Sequence, residues 1–150
     1  MDELQKKALS RLEARCARQE YCVRDIRTKA LKAMEGDAAR AEEIVESLLR
    51  DGFVDDSRYA AAFAREKSSL TGWGPVKIRF ALRAKGVSDE VASEALEQID
   101  SARAGAKLEK LMENKAASLA GDPQIRLKLI KFALSRGYTY EEVQRVMENY

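Results

Sequence analysis

The chemistry open to this chain is limited first by a missing residue type, because its 150 residues include no histidine. Without imidazole there is no Ser–His or Cys–His nucleophile pair, no histidine-ligated metal and no imidazole proton shuttle. The two cysteines, Cys16 and Cys22, cannot by themselves form a structural zinc site, and we interpret them as reduced, partly buried thiols. The adjacent carboxylates of Asp55 and Asp56 diverge at a predicted helix start, so capping of free amides is favoured over metal binding.

Two further patterns could in principle support catalysis on phosphates, and neither is convincing. The run Gly72-Trp73-Gly74-Pro75 lacks the lysine and the length of a phosphate-binding loop. The residues Glu113, Lys115 and Asp122 are of types found in nucleases, but their order along the predicted elements does not suit that chemistry. We therefore expect a protein that is not an enzyme and that uses neither a metal nor a cofactor.

Charge is the property that most suggests function. The 27 basic and 25 acidic residues give a formal net charge of only +2, which argues against a uniformly basic protein. The charges are nevertheless sorted: residues 77–85 and 126–136 each carry four basic and no acidic side chains, whereas residues 89–100 carry five acidic and no basic ones. Stacked helices would then form a basic stripe. The alternative is that basic and acidic helices neutralise each other locally.

Helices must position these side chains, because apolar residues recur at helical spacing and only 8 glycines and 2 prolines interrupt the chain. Residues 125–129 alternate apolar and basic side chains as a strand does, but the Asp122-Pro123 start and the Gly137 stop favour a helix. A capping box is predicted from Thr139 to Glu142. The predicted helices are 4–17, 20–33, 38–51, one that starts at Asp55-Asp56 and extends to Leu70, 76–85, 88–99, 102–119, 124–136 and one that starts at 139.

The residues that end and start helices repeat along the chain with an offset of about 51 residues, so that Gly86 corresponds to Gly137. We therefore predict an all-α fold of three tandem three-helix units, residues 1–53, 54–100 and 101–150, in an elongated, curved array. Trp73, Val76 and Phe80 are expected to seal a junction between units. Alternatively they form an exposed apolar patch beside arginines, a composition typical of protein interfaces.

One long ordered motif is distinctive. It runs from Leu49-Arg50-Asp51-Gly52-Phe53-Val54-Asp55-Asp56-Ser57-Arg58-Tyr59-Ala60 through Phe63, Arg65 and Gly72-Trp73-Gly74-Pro75-Val76-Lys77-Ile78 to Leu82-Arg83-Ala84-Lys85-Gly86-Val87. This motif resembles the signature of the RecX family, bacterial regulators of the RecA recombinase. Upstream, Cys16-Ala17-Arg18-Gln19-Glu20-Tyr21-Cys22 resembles the first unit of that family.

The resemblance implies a helical regulator that binds the groove of the RecA filament on single-stranded DNA. Such a protein would damp filament growth, strand exchange, ATP hydrolysis and co-protease activity, and so restrain recombination, DNA repair and the SOS response. The resemblance implies a structural role for the motif residues Gly52, Phe53, Asp55, Asp56, Tyr59, Phe63, Gly74, Pro75 and Gly86. The candidates for contact with filament or DNA are Arg58, Arg65, Lys67, Trp73, Lys77, Arg79, Arg83, Lys85, Arg126, Lys128 and Lys131.

Two other functions stay open at the level of sequence. The same basic helices could bind DNA phosphates directly, in which case affinity would fall steeply with salt and need no protein partner. A helical adaptor for another protein partner is the third possibility. We expect a cytoplasmic monomer without a signal peptide or a membrane span, which contacts single-stranded DNA either directly or through the filament.

Overall fold

The computed structural model describes residues 1–150 and contains nine α-helices, one π-helical segment and no strand. The predicted all-α class is therefore confirmed, and the alternating residues 125–129 lie in a helix. The helices are α1 (Glu3–Arg18), α2 (Val23–Ala33), α3 (Ala38–Arg50), α4 (Asp56–Glu66), α5 (Pro75–Ala84), α6 (Asp89–Glu97), α7 (Ser101–Ser118), α8 (Ile125–Ser135) and α9 (Tyr140–Met147), with the π-helical segment Lys67–Thr71 between α4 and α5.

Side-chain caps explain where many of these helices begin. The predicted capping box at α9 is present, with the hydroxyl of Thr139 accepting from Glu142 N–H and the Glu142 carboxylate accepting from Thr139 N–H. A second capping box joins Asp2 and Gln5 at α1. The Asp37 and Asp100 carboxylates accept from backbone amides at the starts of α3 and α7. Each cap satisfies amides that a helix leaves unpaired in its first turn.

Three predicted helix boundaries are wrong, and the first is the start of α2, which was predicted at residue 20 and lies at Val23. Pro123 does not begin α8, because the Asp122 carboxylate accepts from Gln124 N–H at 2.8 Å and the helix starts two residues after the proline. The fourth helix does not continue to Leu70 in α-helical form. It changes to π-helical hydrogen bonding at Lys67, and Leu70 is 74% exposed there.

The first compact body comprises residues Met1–Ala62 and Leu82–Ala92. Here α1, α2 and α3 pack on one another around a core that includes Leu12, Ile26, Ile44 and Leu48. Three leucines of these helices, Leu4, Leu31 and Leu49, lie outside the core and are 46%, 38% and 40% exposed. Both Cys16 and Cys22 are free and buried.

The second compact body comprises residues Phe63–Ala81 and Ser93–Tyr150. Its core is formed by α7, α8 and α9 around Met112, Leu129, Ala133 and Val143. None of the nine helices has the length and apolar character that crossing a bilayer requires. The boundaries predicted after residues 53 and 100 stay a prediction.

Candidate functional site

The turn before α5 is held against the turn between α8 and α9, within the second body. Gly74 N–H donates to Arg136 C=O at 2.7 Å, and Val76 N–H donates to Gly137 C=O at 2.9 Å. The two chains approach so closely that a Cβ on Gly74 would lie 2.4 Å from the Gly137 carbonyl carbon and oxygen. A side chain therefore cannot be accommodated at Gly74 without separating the two turns.

Two further hydrogen bonds, from the side chains of Tyr138 and Arg136, close the same contact. Tyr138, which is buried, donates its hydroxyl to Gly72 C=O at 3.0 Å, and the guanidinium of Arg136 donates to Thr71 C=O. Burial raises the pKa of Tyr138 to about 12, so its hydroxyl keeps its proton and remains a donor at neutral pH. Gly72 has φ +71°, the left-handed conformation that ends the π-helical segment.

Two of the predicted contact lysines share an aromatic ring beside this turn. Lys67 Nζ lies 4.8 Å and Lys77 Nζ 4.7 Å from the centroid of Trp73. Phe63 meets Trp73 edge-to-face, with 6.2 Å between ring centroids. The half-buried cluster of Phe63, Lys67, Trp73 and Lys77 thus concentrates two cations on aromatic surface, an arrangement stabilised by the charge distribution of the ring.

The outer face of α5 is apolar as well as basic. Val76 is 56% and Phe80 72% exposed, so the expectation that they seal a junction is wrong. The reason is helical phase: Ile78 and Leu82 occupy the buried face, and residues two positions away point to the other side. The exposed apolar patch that the sequence left open as an alternative is therefore present at Val76 and Phe80.

The other predicted contact residues of the second body differ in the contacts that they make within the chain. Arg65 and Lys131 are exposed and form no ion pair. Arg79 donates to Ser93 Oγ at 3.0 Å and Arg126 to Tyr150 C=O at 2.6 Å. Lys128 pairs with Asp122, whose pKa is lowered by that contact and by the Gln124 amide.

In the first body the predicted contact residues are ion-paired. Arg58 Nε lies 2.5 Å from Glu20, Arg83 Nη2 3.0 Å from Asp89, and Lys85 Nζ 3.0 Å from Asp25. Arg27 pairs with Glu42 in the same way, from α2 to α3. Local neutralisation, the alternative to a basic stripe, therefore applies to a substantial part of the cations.

The adjacent carboxylates have separate structural roles. Asp55 caps α4 as predicted, with its Oδ1 accepting from Ser57 N–H at 2.8 Å and Arg58 N–H at 3.2 Å. Asp56 Oδ1 instead accepts from Val23 N–H at 2.8 Å, which ties the first turn of α4 to the start of α2. No three Asp, Glu or Cys side chains gather in an arrangement that could hold a metal ion.

The remaining motif residues support the local backbone. Gly52 and Gly86 follow helix ends with φ of +76° and +81°. Phe53 packs against the core of the first body, Tyr59 is half-buried with its pKa raised by burial, and Pro75 is the first residue of α5. A structural role for the motif as a whole stays a prediction.

Sequence reasoning did not single out one basic feature of the first body, the groove between α1 and α2. Its charged lining is Lys7, Arg11, Arg15, Lys29 and Lys32, and its cavity volume is about 600 Å³. The available signal was the repetition of basic residues every four positions along α1, which places them on one face. A smaller cavity of about 310 Å³ in the second body lies beside Trp73 and Tyr138.

Comparison with known proteins identifies the family. Residues 55–96 match the family model described as "RecX, second three-helix domain". The chain is 38% identical to the Regulatory protein RecX of Chromohalobacter salexigens over 104 residues, which cover 69% of this chain and 67% of that protein. This chain belongs to the RecX family. The match to a second three-helix domain also confirms the prediction of tandem three-helix units.

Other members of the RecX family extend the comparison. The Regulatory protein RecX of Clostridium acetobutylicum is 33% identical over 132 residues. This match covers 83% of this chain, and the chain spans 60% of the length of that relative. The crystal structure of RecX from Lactobacillus salivarius superposes with a TM-score of 0.83 at 20% identity, covering 99% of this chain and 97% of that one, which shows a common fold. The relatives are named as regulatory proteins, in agreement with the prediction that the chain is not an enzyme.

Proposed function

We propose that this chain regulates a RecA recombinase by binding in the groove of the RecA filament on single-stranded DNA. Bound there as a monomer in the cytoplasm, it limits filament growth and, with it, strand exchange, ATP hydrolysis and co-protease activity. Membership of the RecX family supports this function: the matched relatives are named regulatory proteins, and the family resemblance implies RecA as the protein that is regulated. The signature residues that support the resemblance extend from the end of α3 through α4 and α5 to the turn after α5.

The observation that carries the proposal is the outer face of α5. Phe80 and Val76 are exposed on a helix that has basic and no acidic side chains. An exposed aromatic side chain beside an arginine is the composition found at the energetically important centre of protein interfaces. A filament partner would cover Phe80, and the neighbouring cations would be attracted to its phosphates or carboxylates.

The turn before α5 is held in place, so the outer face of α5 is ordered before a partner binds. The backbone contacts of Gly74 and Val76 with the α8–α9 turn fix the first turn of α5. Lys77, held at the ring of Trp73, is also fixed in position. A surface that is ordered before binding loses less conformational entropy on association, so more of the contact energy appears as affinity.

The test is inhibition of the single-stranded-DNA-dependent ATPase of RecA from the same organism. Phe80→Ser should raise the concentration for half-inhibition about tenfold, because an aromatic anchor at an interface contributes more than 1 kcal/mol. Leu70→Ser is the matched control, since Leu70 is 74% exposed in the same body and Phe80 is 72% exposed. Inhibition by Phe80→Ser equal to that of the wild type would remove α5 as the contact surface, and no inhibition by the wild-type chain would remove the function.

A second arm separates filament binding from direct DNA binding, the second candidate function. The basic side chains of α5 and α8 favour direct DNA binding. Reversal of Arg79 and Arg83 to Glu should weaken inhibition of the RecA ATPase, while circular dichroism shows unchanged helicity. Affinity for naked single-stranded DNA should fall steeply with salt. Binding to the RecA–DNA filament should persist at a salt concentration that abolishes binding to naked DNA. Loss of both at the same salt concentration would favour the DNA-binding module.

A further inference from the structure

The groove between α1 and α2 is a basic concavity of the first body, and neither the motif nor the proposed function uses it. Its cavity of about 600 Å³ is lined by five cationic side chains and by no acidic one. Lys7, Arg11 and Arg15 lie four residues apart along α1, so they form one edge. Lys29 and Lys32 of α2 are the remaining cations of the lining.

The charges of this groove are not neutralised within the chain. None of the five cations belongs to any of the ion pairs in the structure. Lys29 Nζ lies 5.6 Å from the centroid of Tyr21, a contact that leaves its positive charge in place. Elsewhere in the same body Arg27, Arg40, Arg58 and Lys85 are all paired with carboxylates. Five unpaired cations in a chain of net charge +2 therefore mark this groove as an anion-binding surface.

The apolar part of the lining decides which kind of anion fits. Leu4, Ala8, Leu12 and Ala33 line the groove, and Leu4 is 46% exposed. The lining includes no aromatic side chain, whereas surfaces that bind single-stranded nucleic acid combine cations with aromatic rings on which bases stack. Aliphatic side chains flanked by cations instead match a peptide that carries both carboxylates and apolar residues.

We propose that the groove between α1 and α2 docks an acidic amphipathic segment of a partner protein. The apolar side chains of that segment cover the exposed Leu4 and the partly exposed Ala33, and its carboxylates face Lys7, Arg11 and Arg15 on one edge and Lys32 on the other. From Lys7 to Arg15 the edge extends eight residues, or about 12 Å of helix, which corresponds to about two turns of a docked helix. The groove shares no residue with α5, so the inference does not depend on RecA as the partner.

The experiment measures binding of a fluorescent peptide to the full chain by anisotropy. The probe is a peptide of about four helical turns, with leucines at helical spacing and glutamates at the other positions. Two competitors accompany it: a scrambled peptide of the same composition and an oligothymidylate that spans a similar length. We expect the amphipathic probe to bind and neither competitor to displace it at equal concentration.

Charge reversal localises the binding. Lys7→Glu combined with Arg11→Glu should weaken binding of the probe about tenfold, since two attractions become two repulsions. Arg103→Glu combined with Lys110→Glu is the matched control, because it makes the same change in net charge on α7 of the second body. The control should bind within about twofold of the wild type. The single variant Arg11→Gln, at an exposed position, should weaken binding about threefold while retaining the wild-type circular dichroism spectrum.

Several results would overturn the inference. Equal affinity for the scrambled peptide would show attraction to net charge without recognition of the apolar side chains. Displacement by oligothymidylate would assign the groove to nucleic acid. Unchanged binding by folded Arg11→Gln, or equal losses in the groove variant and in the α7 control, would place the peptide elsewhere. The proposed regulation of RecA is tested separately by Phe80→Ser, whose ATPase readout does not involve this groove.

Discussion

Replacement of Gly74 by alanine should destabilise the second body through a single methyl group. The added Cβ would lie 2.4 Å from the carbonyl carbon and oxygen of Gly137 and equally close to Tyr138 N. All three are backbone atoms, so no flexible side chain can move aside. Ordinary carbon contacts are about 3.5 Å or longer, and the turns must therefore separate by about 1 Å.

The size of the effect follows from the hydrogen bonds that this separation disrupts. The backbone bonds at Gly74 N–H and Val76 N–H are 2.7 and 2.9 Å long, and the bond of Tyr138 to Gly72 is 3.0 Å. Lengthening each by about 1 Å takes it outside hydrogen-bonding range. With about 1 kcal/mol for each bond, the free energy of unfolding should fall by about 2–4 kcal/mol. A domain of ordinary stability remains folded after such a loss.

The assay is urea unfolding followed by circular dichroism, with the fluorescence of Trp73 as a second probe. Trp73 is the chain's single tryptophan and adjoins Gly74, so its emission reports on this turn. Gly105→Ala is the matched control: a Cβ at Gly105 meets nothing within 4 Å, and the residue lies inside α7. That variant should be more stable than the wild type by up to about 1 kcal/mol, because alanine favours helix. Wild-type stability of Gly74→Ala would refute the close contact between the turns.

Two predictions concern pH. Tyr138→Phe should lower the free energy of unfolding at neutral pH by about 1 kcal/mol through loss of the hydrogen bond to Gly72. The pKa of Tyr138 is raised to about 12 in the folded chain, above the unfolded value of about 10. Its contribution to the free energy of unfolding is therefore complete below about pH 10 and is lost as pH rises toward 12. Urea unfolding should show that Tyr138→Phe loses less stability than the wild type over that alkaline range. Burial acts to raise the pKa of Asp25, but the hydrogen bond and charge of Lys85 outweigh it, and the pKa lies below its ordinary value. The contribution of Asp25 is therefore complete above about pH 4 and lost as pH falls through the lower folded pKa. Lys85→Gln should flatten the acid decline of stability, and an unchanged acid profile would contradict the pairing.

Most of the helices could be predicted because their signals are local. The Thr139–Glu142 capping box needs two side chains three residues apart, and both partners are visible in the sequence. Asp55 likewise caps amides two and three residues away. The wrong start at Pro123 has a local cause too, since the neighbouring Asp122 forms a turn that delays α8.

The candidate site was less accessible from sequence. The basic character of α5 could be read directly, but the exposure of Phe80 depends on which face of the helix is covered. Asp56 was expected to cap its own helix, yet it accepts from Val23, 33 residues earlier. Pairing of Lys85 with Asp25 across 60 residues was equally hidden, although it determines how much of the predicted stripe remains free to bind.

The sequence by itself determined the helical class, the positions of most turns and the family motif, because hydrogen bonds within a helix join residues a fixed few positions apart. Tertiary structure alone decided that Gly74 and Gly137, 63 residues apart, meet backbone to backbone, and that five cations of α1 and α2 line one unpaired groove. The physical reason is that hydrogen bonds within a helix join residues that are close in the sequence and can be read from it. Contacts between helices instead depend on how whole helix faces pack together.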